Sequence, residues 1–146
     1  MRIYLDNCCY NRPYDDQTNI TNSLETQAKL TIQNLIRLGR YELVSSETLE
    51  YEVDASPYAS QSEIIRRFIQ ENAVLYVGPK RKDDVEKQAA EIMKTGVKYY
   101  DACHVASAIL AECDYFITVD KRLLKFHSDK VRVVNPIQFV METEGI

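Results

Sequence analysis

Arg2-Ile3-Tyr4-Leu5-Asp6-Asn7 opens the chain with a short apolar run whose last member is followed at once by an acid. Ile3 to Leu5 reads as a buried strand, and Asp6 stands at its carboxyl end. Phe116-Ile117-Thr118-Val119-Asp120 repeats the pattern more than a hundred residues later. Two further acids, Glu52 and Asp101, fall near the starts of helices that come after predicted strands. The carboxyl ends of the strands of an open α/β sheet share one rim, where ligands bind, so four acids at such positions meet in space. Two unit charges about 5 Å apart repel by roughly 3 kcal/mol at an effective dielectric near 20, and a bound cation offsets that cost.

The rest of the chain alternates in the same way. A polar loop is predicted from Asp6 through Asn19, then a helix capped by Asn22 and Glu25, with Leu24, Ala28, Ile32, Leu35 and Ile36 on one stripe, closed by Gly39. Leu43-Val44 is a second strand, Ser45 or Ser46 caps the next helix, and Pro57 interrupts it. Ser60 and Glu63 form a capping box for a further helix, Val74 to Val77 a strand, and Asp83-Asp84 the first turn of a helix carrying Val85, Ala89, Ile92 and Met93. Next come a helix from Asp101 to Cys113, a strand from Tyr115 to Thr118, a short helix at Leu123-Leu124 and a strand from Val131 to Val134, with Pro136 opening a terminal helix. Strands separated by helices throughout predict a three-layer α/β/α sandwich around a mostly parallel sheet.

With 146 residues and 45% hydrophobic content, the expectation is one domain spanning residues 1–146. No long apolar segment or leader is apparent, which predicts a soluble, cytoplasmic protein with no membrane partner. The four cysteines lack C-x-x-C spacing and read as reduced thiols, with Cys103 and Cys113 packed as small hydrophobes. A net charge of −4 excludes a broadly basic nucleic-acid surface, although an acidic metal site itself accounts for four negative charges.

Asp6 and Asp120 also suit local backbone capping, and Asp101 a helix N-terminus. Spacing does not rank Glu47, Glu50 and Glu52. Glu52 flanks the Leu49–Val53 stripe and reaches the rim, with Glu50 as the alternative. His104 shares a helical face with Asp101 and reads as a hydrogen-bonding histidine outside the metal set. All-oxygen donors suit Mg²⁺ or Mn²⁺, and such a centre fits phosphodiester hydrolysis. Arg12, Lys121 and Arg122 lie beside the acids and are candidates for the phosphate backbone. Tyr99 and Tyr100 are expected in core or dimer packing, with base stacking as the alternative. A phosphatase with a strand-end nucleophile wants an acid two residues after Asp6, where Cys8 stands.

The opening segment, the Ser46-to-Glu52 helix, Asp101-Ala102-Cys103-His104-Val105-Ala106-Ser107-Ala108, and Phe116 through Leu124 together resemble the PIN-domain family nearly end to end. The resemblance implies a metal-dependent ribonuclease using Mg²⁺ or Mn²⁺, with Asp6, Glu52, Asp101 and Asp120 as its acidic quartet and Asn7 and Thr118 as accompanying polar residues. Many small members are VapC-like toxins of VapBC toxin–antitoxin pairs, which implies an RNA substrate, a cognate antitoxin and a homodimer. Asn7-Cys8-Cys9 departs from the serine or threonine usual after the first aspartate. The alternative is a noncatalytic PIN-like module that binds a protein partner.

Overall fold

The computed structural model describes residues 1–145. Five strands, β1 (Arg2–Leu5), β2 (Glu42–Ser46), β3 (Ala73–Val77), β4 (Tyr115–Ile117) and β5 (Arg132–Val134), form one sheet in the order β3-β2-β1-β4-β5. Every pairing is parallel, with Tyr4 opposite Val44 on one side and Phe116 on the other. Helices cover the sheet: α1 (Asn7–Asn11), α2 (Ile20–Arg37), α3 (Glu47–Ala55), α4 (Ala59–Asn72), α5 (Lys82–Met93), α6 (Tyr99–Leu110) and α7 (Pro136–Glu144). α2 packs on α7 and α5 on α6. Among the described residues, no helix is long and apolar enough to cross a membrane.

The strand order positions the site. The chain winds outward from β1 through β2 to β3, then returns to the other side of β1 for β4 and β5, so the order reverses between β1 and β4. Beyond the carboxyl ends of strands at such a reversal, the connections diverge and leave a crevice. Ile3, Tyr4 and Leu5 are fully buried, as a central parallel strand covered on both faces requires, and Tyr4 stacks on Phe116 with ring centroids 5.3 Å apart.

Several elements depart from their predicted bounds. The segment expected as a loop from Asp6 to Asn19 holds α1 and a 3₁₀ turn at Arg12–Tyr14. Asp6 caps α1 by accepting from the Asn7 N–H, and Cys9 and Tyr10 anchor the helix in the core. A single turn with two anchors is too short to leave a periodic signal. α2 begins at Ile20, capped by Asn19 rather than by the Asn22–Glu25 pair, and its buried face carries Glu25, Lys29, Ile32 and Ile36 while Leu24 is exposed. α4 starts directly after Pro57-Tyr58 without the Ser60–Glu63 box. α6 begins at Tyr99 and stops before Ala111, so Cys113, though buried as expected, lies beyond it. Gly39, at φ 78°, closes α2 as the sequence predicts.

Lys29 is an unusual member of this interior. Its ammonium donates to Gln33 Oε1 at 2.6 Å and lies 5.6 Å from the Tyr10 ring centroid, and burial lowers its pKa to about 8. The unfolded chain holds this proton up to the ordinary value near 10.5, so folding bears the cost of the buried charge in full below pH 8. The cost fades as pH rises from 8 toward 10.5. Lys29→Met is therefore expected to stabilise the protein by about 1–3 kcal/mol at neutral pH. Urea melts of both proteins at about pH 7 and about pH 10 check this, with the gain shrinking at the higher pH.

Candidate metal centre at the sheet rim

Asp6 leaves the end of β1 with its backbone N–H bonded to Ile117 O at 2.9 Å, which continues the β1–β4 ladder to the rim. Its carboxylate is almost fully buried and strongly oriented. Oδ1 accepts from the Asn7 N–H at 2.8 Å, and Oδ2 accepts from Thr118 Oγ1 at 2.8 Å and from the Cys8 thiol at 3.3 Å. Thr118 Oγ1 also accepts from the Asp120 N–H at 3.1 Å, so one buried hydroxyl ties together the ends of β1 and β4. Asp120 in turn accepts from the Arg122 N–H at 2.8 Å, which fixes its loop. The local capping roles of Asp6 and Asp120 and their convergence at the rim are therefore compatible.

Asp101 sits half-buried in the first turn of α6. Burial raises its pKa, and the charges of Asp6, Asp120 and Glu52 raise it further against the opposing pull of His104. All four sequence-selected acids thus share one electrostatic neighbourhood.

Glu52 reaches the site from α3, where it contacts His104 Nε2. Glu50, two residues earlier on the same helix, faces elsewhere: it is exposed, adds to the rise that burial gives the pKa of Tyr76 on β3, and lines a separate cavity with Asp54 and Arg66. The orientation of α3, set by burial of Leu49 and Val53, separates the two glutamates.

His104 is fully buried and more central than the sequence indicates. Nδ1 shares a 2.6 Å hydrogen bond with the Tyr4 hydroxyl, which shares another of 2.6 Å with Ser46 Oγ, the cap of α3. Nε2 lies 3.8 Å from Asp6 Oδ1. Ligand atoms of Asp6, Glu52 and His104 all fall within 4.8 Å of one another, so among the described residues this close donor set includes the histidine that sequence reasoning left out, while Asp101 and Asp120 stand outside it. Burial pushes the imidazole pKa down, but Glu52, Asp6 and Asp101 together bring it above its ordinary value. The α6 spacing of Asp101 and His104 was the available signal. Tyr4 and Ser46, the residues that orient the ring, are remote in sequence.

The donor chemistry fits a hard divalent cation. Carboxylates dominate, two of them are held by hydrogen bonds in fixed orientations, and their mutual repulsion favours any ion that binds among them.

The remaining candidates divide. Asn7 flanks Asp6 and lines a groove with Glu52. Arg122 lines a cleft with Asp101 and Asp120. Lys121 is exposed and within electrostatic reach of buried Glu25. Arg12, expected at the phosphate backbone, is engaged elsewhere: its guanidinium lies 2.8 Å from Asp15 and 3.3 Å from Glu25, because Glu25 is buried and needs a cation.

No protein-family model and no curated protein matches the chain. Among solved structures it is similar to the crystal structure of VapBC2 from Rickettsia felis bound to a DNA fragment from their promoter, with a TM-score of 0.55 and 13% identity. The match covers 92% of this chain and 98% of that chain, and at such identity the likeness is one of fold.

Proposed function

We propose that this chain is a PIN-type, divalent-metal-dependent ribonuclease, acting as the toxin of a toxin–antitoxin pair. One observation supports the reading: ligand atoms of Asp6, Glu52 and His104 lie within 4.8 Å of one another beside the β1–β4 reversal, close enough to Asp101 for Asp6, Asp120 and Glu52 to raise its pKa. That position is where an open parallel sheet binds its ligands.

Asp6, Asp101 and Asp120 would hold the ion, with Glu52 completing the acidic set. A bound Mg²⁺ or Mn²⁺ supplies Lewis-acid activation of water and charge neutralisation at the phosphorus. The chain's own part is orientation. Thr118 and Cys8 fix one oxygen of Asp6, the Asn7 N–H fixes the other, and the Arg122 N–H holds Asp120. Tyr4 and Ser46 orient His104, which holds Glu52 at the rim. The contiguous buried core supports reading residues 1–146 as one domain. The fold it shares with a chain of the VapBC2 structure from Rickettsia felis supports an antitoxin as partner. A homodimer and a cytoplasmic location complete the proposal.

The purified protein should cleave RNA in Mn²⁺, stop on addition of EDTA, and resume when Mn²⁺ is restored in excess. Cleavage indifferent to EDTA overturns the proposal.

A further inference from the structure

The four acids do not share one symmetrical bowl. Asp101 and Asp120 line a cleft of about 520 Å³ that also holds the basic side chains Lys98, Arg122, Lys125 and His127. All four basic groups are exposed, and none forms an ion pair among the described residues. Glu52 and Asn7 line a second groove, of about 740 Å³, with no lysine or arginine in its wall. Four tyrosines take their place: Tyr14, Tyr51, Tyr58 and Tyr100, between 44% and 64% exposed. Tyr51 and Tyr100 are nearly parallel, with centroids 5.6 Å apart and planes inclined by 7°. They adjoin Glu52 and Asp101 in sequence, so the stack bridges α3 and α6 at the edge of the acidic centre. Of the two kinds of packing expected for Tyr100, in the core or at a dimer interface, burial in the core of the chain does not hold: its ring is half exposed.

Exposed aromatic rings in an acidic protein call for an explanation other than the core. On the nuclease reading proposed for this site, we infer that the rim is polarised: the substrate strand runs across the acids with its phosphates on the Lys98–Lys125–His127 side and its unpaired bases on the Tyr51–Tyr100 platform. Cations complement phosphates and line the cleft of Asp101 and Asp120, while aromatic faces accept any base and line the groove of Glu52, whose wall holds no lysine or arginine. A duplex keeps its bases stacked inside and has nothing to offer the tyrosines, so the arrangement selects single strands.

The test is binding rather than cleavage, so that failure of this path and failure of the metal centre give different results. Fluorescence anisotropy of a short labelled oligouridylate is measured in EDTA at several salt concentrations, with a hairpin duplex RNA as control. Tyr51→Ala and Tyr100→Ala should each weaken single-strand binding roughly 5- to 150-fold without changing the salt dependence. Tyr51→Phe, which keeps the ring, should bind like the unsubstituted protein. Lys98→Ala and Lys125→Ala should each weaken binding and lower the slope of log K against log salt by about 0.7. Equal affinity for duplex and single strand overturns the inference. So does no measurable binding by the unsubstituted protein, alanine variants that bind unchanged while melting normally, or tyrosine variants that lose only a co-purifying protein. Intact binding by a protein that never cleaves would sink the metal centre and leave the path standing.

Discussion

Asp6→Asn and Asp101→Asn are each expected to lose Mn²⁺-dependent RNA cleavage by about 10³-fold or more, while both proteins remain folded. Either substitution removes one carboxylate from the set that would hold the ion and leaves the shape of the rim nearly unchanged. The two differ in stability, and that difference separates loss of chemistry from loss of fold. Asp101 carries a raised pKa because burial and the charges of Asp6, Asp120 and Glu52 disfavour its ionised form. Its negative charge therefore costs stability once pH rises through the unfolded and then the folded pKa, and the cost is complete at neutral pH. Asp101→Asn removes that charge, so the metal-free variant should melt above the unsubstituted protein at neutral pH. The advantage should disappear in acid, where Asp101 is protonated in both states. Asp6→Asn is expected to lose stability instead, through its hydrogen bonds. Its Oδ2 accepts from both Thr118 and Cys8, and an asparagine amide turned that way brings donors against donors, at a cost of about 1–3 kcal/mol. Two inactive proteins with melting shifts of opposite sign exclude unfolding as the common cause. Calorimetry beside a gel-based cleavage assay checks both halves.

How far this arrangement is legible in the chain depends on the range of the interaction involved. The ends of β1 and β4 can be read directly, because a run of buried residues followed by an acid is a local pattern, and Asp6 and Asp120 stand where that pattern puts them. Gly39 and Pro136 mark helix boundaries through their own backbone preferences. α1 is illegible because it is one turn held by a cap and two core anchors rather than by periodicity. Glu25 and Lys29 occupy positions that hydropathy assigns to solvent, and only the neighbouring Arg12, Gln33 and Tyr10 explain their burial. The part played by His104 depends on Tyr4, 100 residues away, and on Glu52, which is distinguished from Glu50 only once α3 is oriented. Tyr51 and Tyr100 likewise become a platform only when α3 and α6 meet. Strand-end chemistry is thus written locally, whereas the second layer that orients it is written in tertiary packing.

The second large effect concerns the ion. Acids held close together are destabilising when empty and stabilising when filled, so divalent metal should couple to folding more strongly here than at scattered surface carboxylates. An ion present at about 100 times its dissociation constant adds roughly 2.7 kcal/mol to stability. For a chain of this size that corresponds to a rise in melting temperature of about 5–10 °C.

The most direct measurement is a Mn²⁺ titration of the melting temperature, run on the unsubstituted protein and on Asp101→Asn side by side. The acidic centre predicts a saturable rise for the former and a curve that is flat, or shifted to far higher metal concentration, for the latter. No rise in the unsubstituted protein, or the same rise in both, contradicts it.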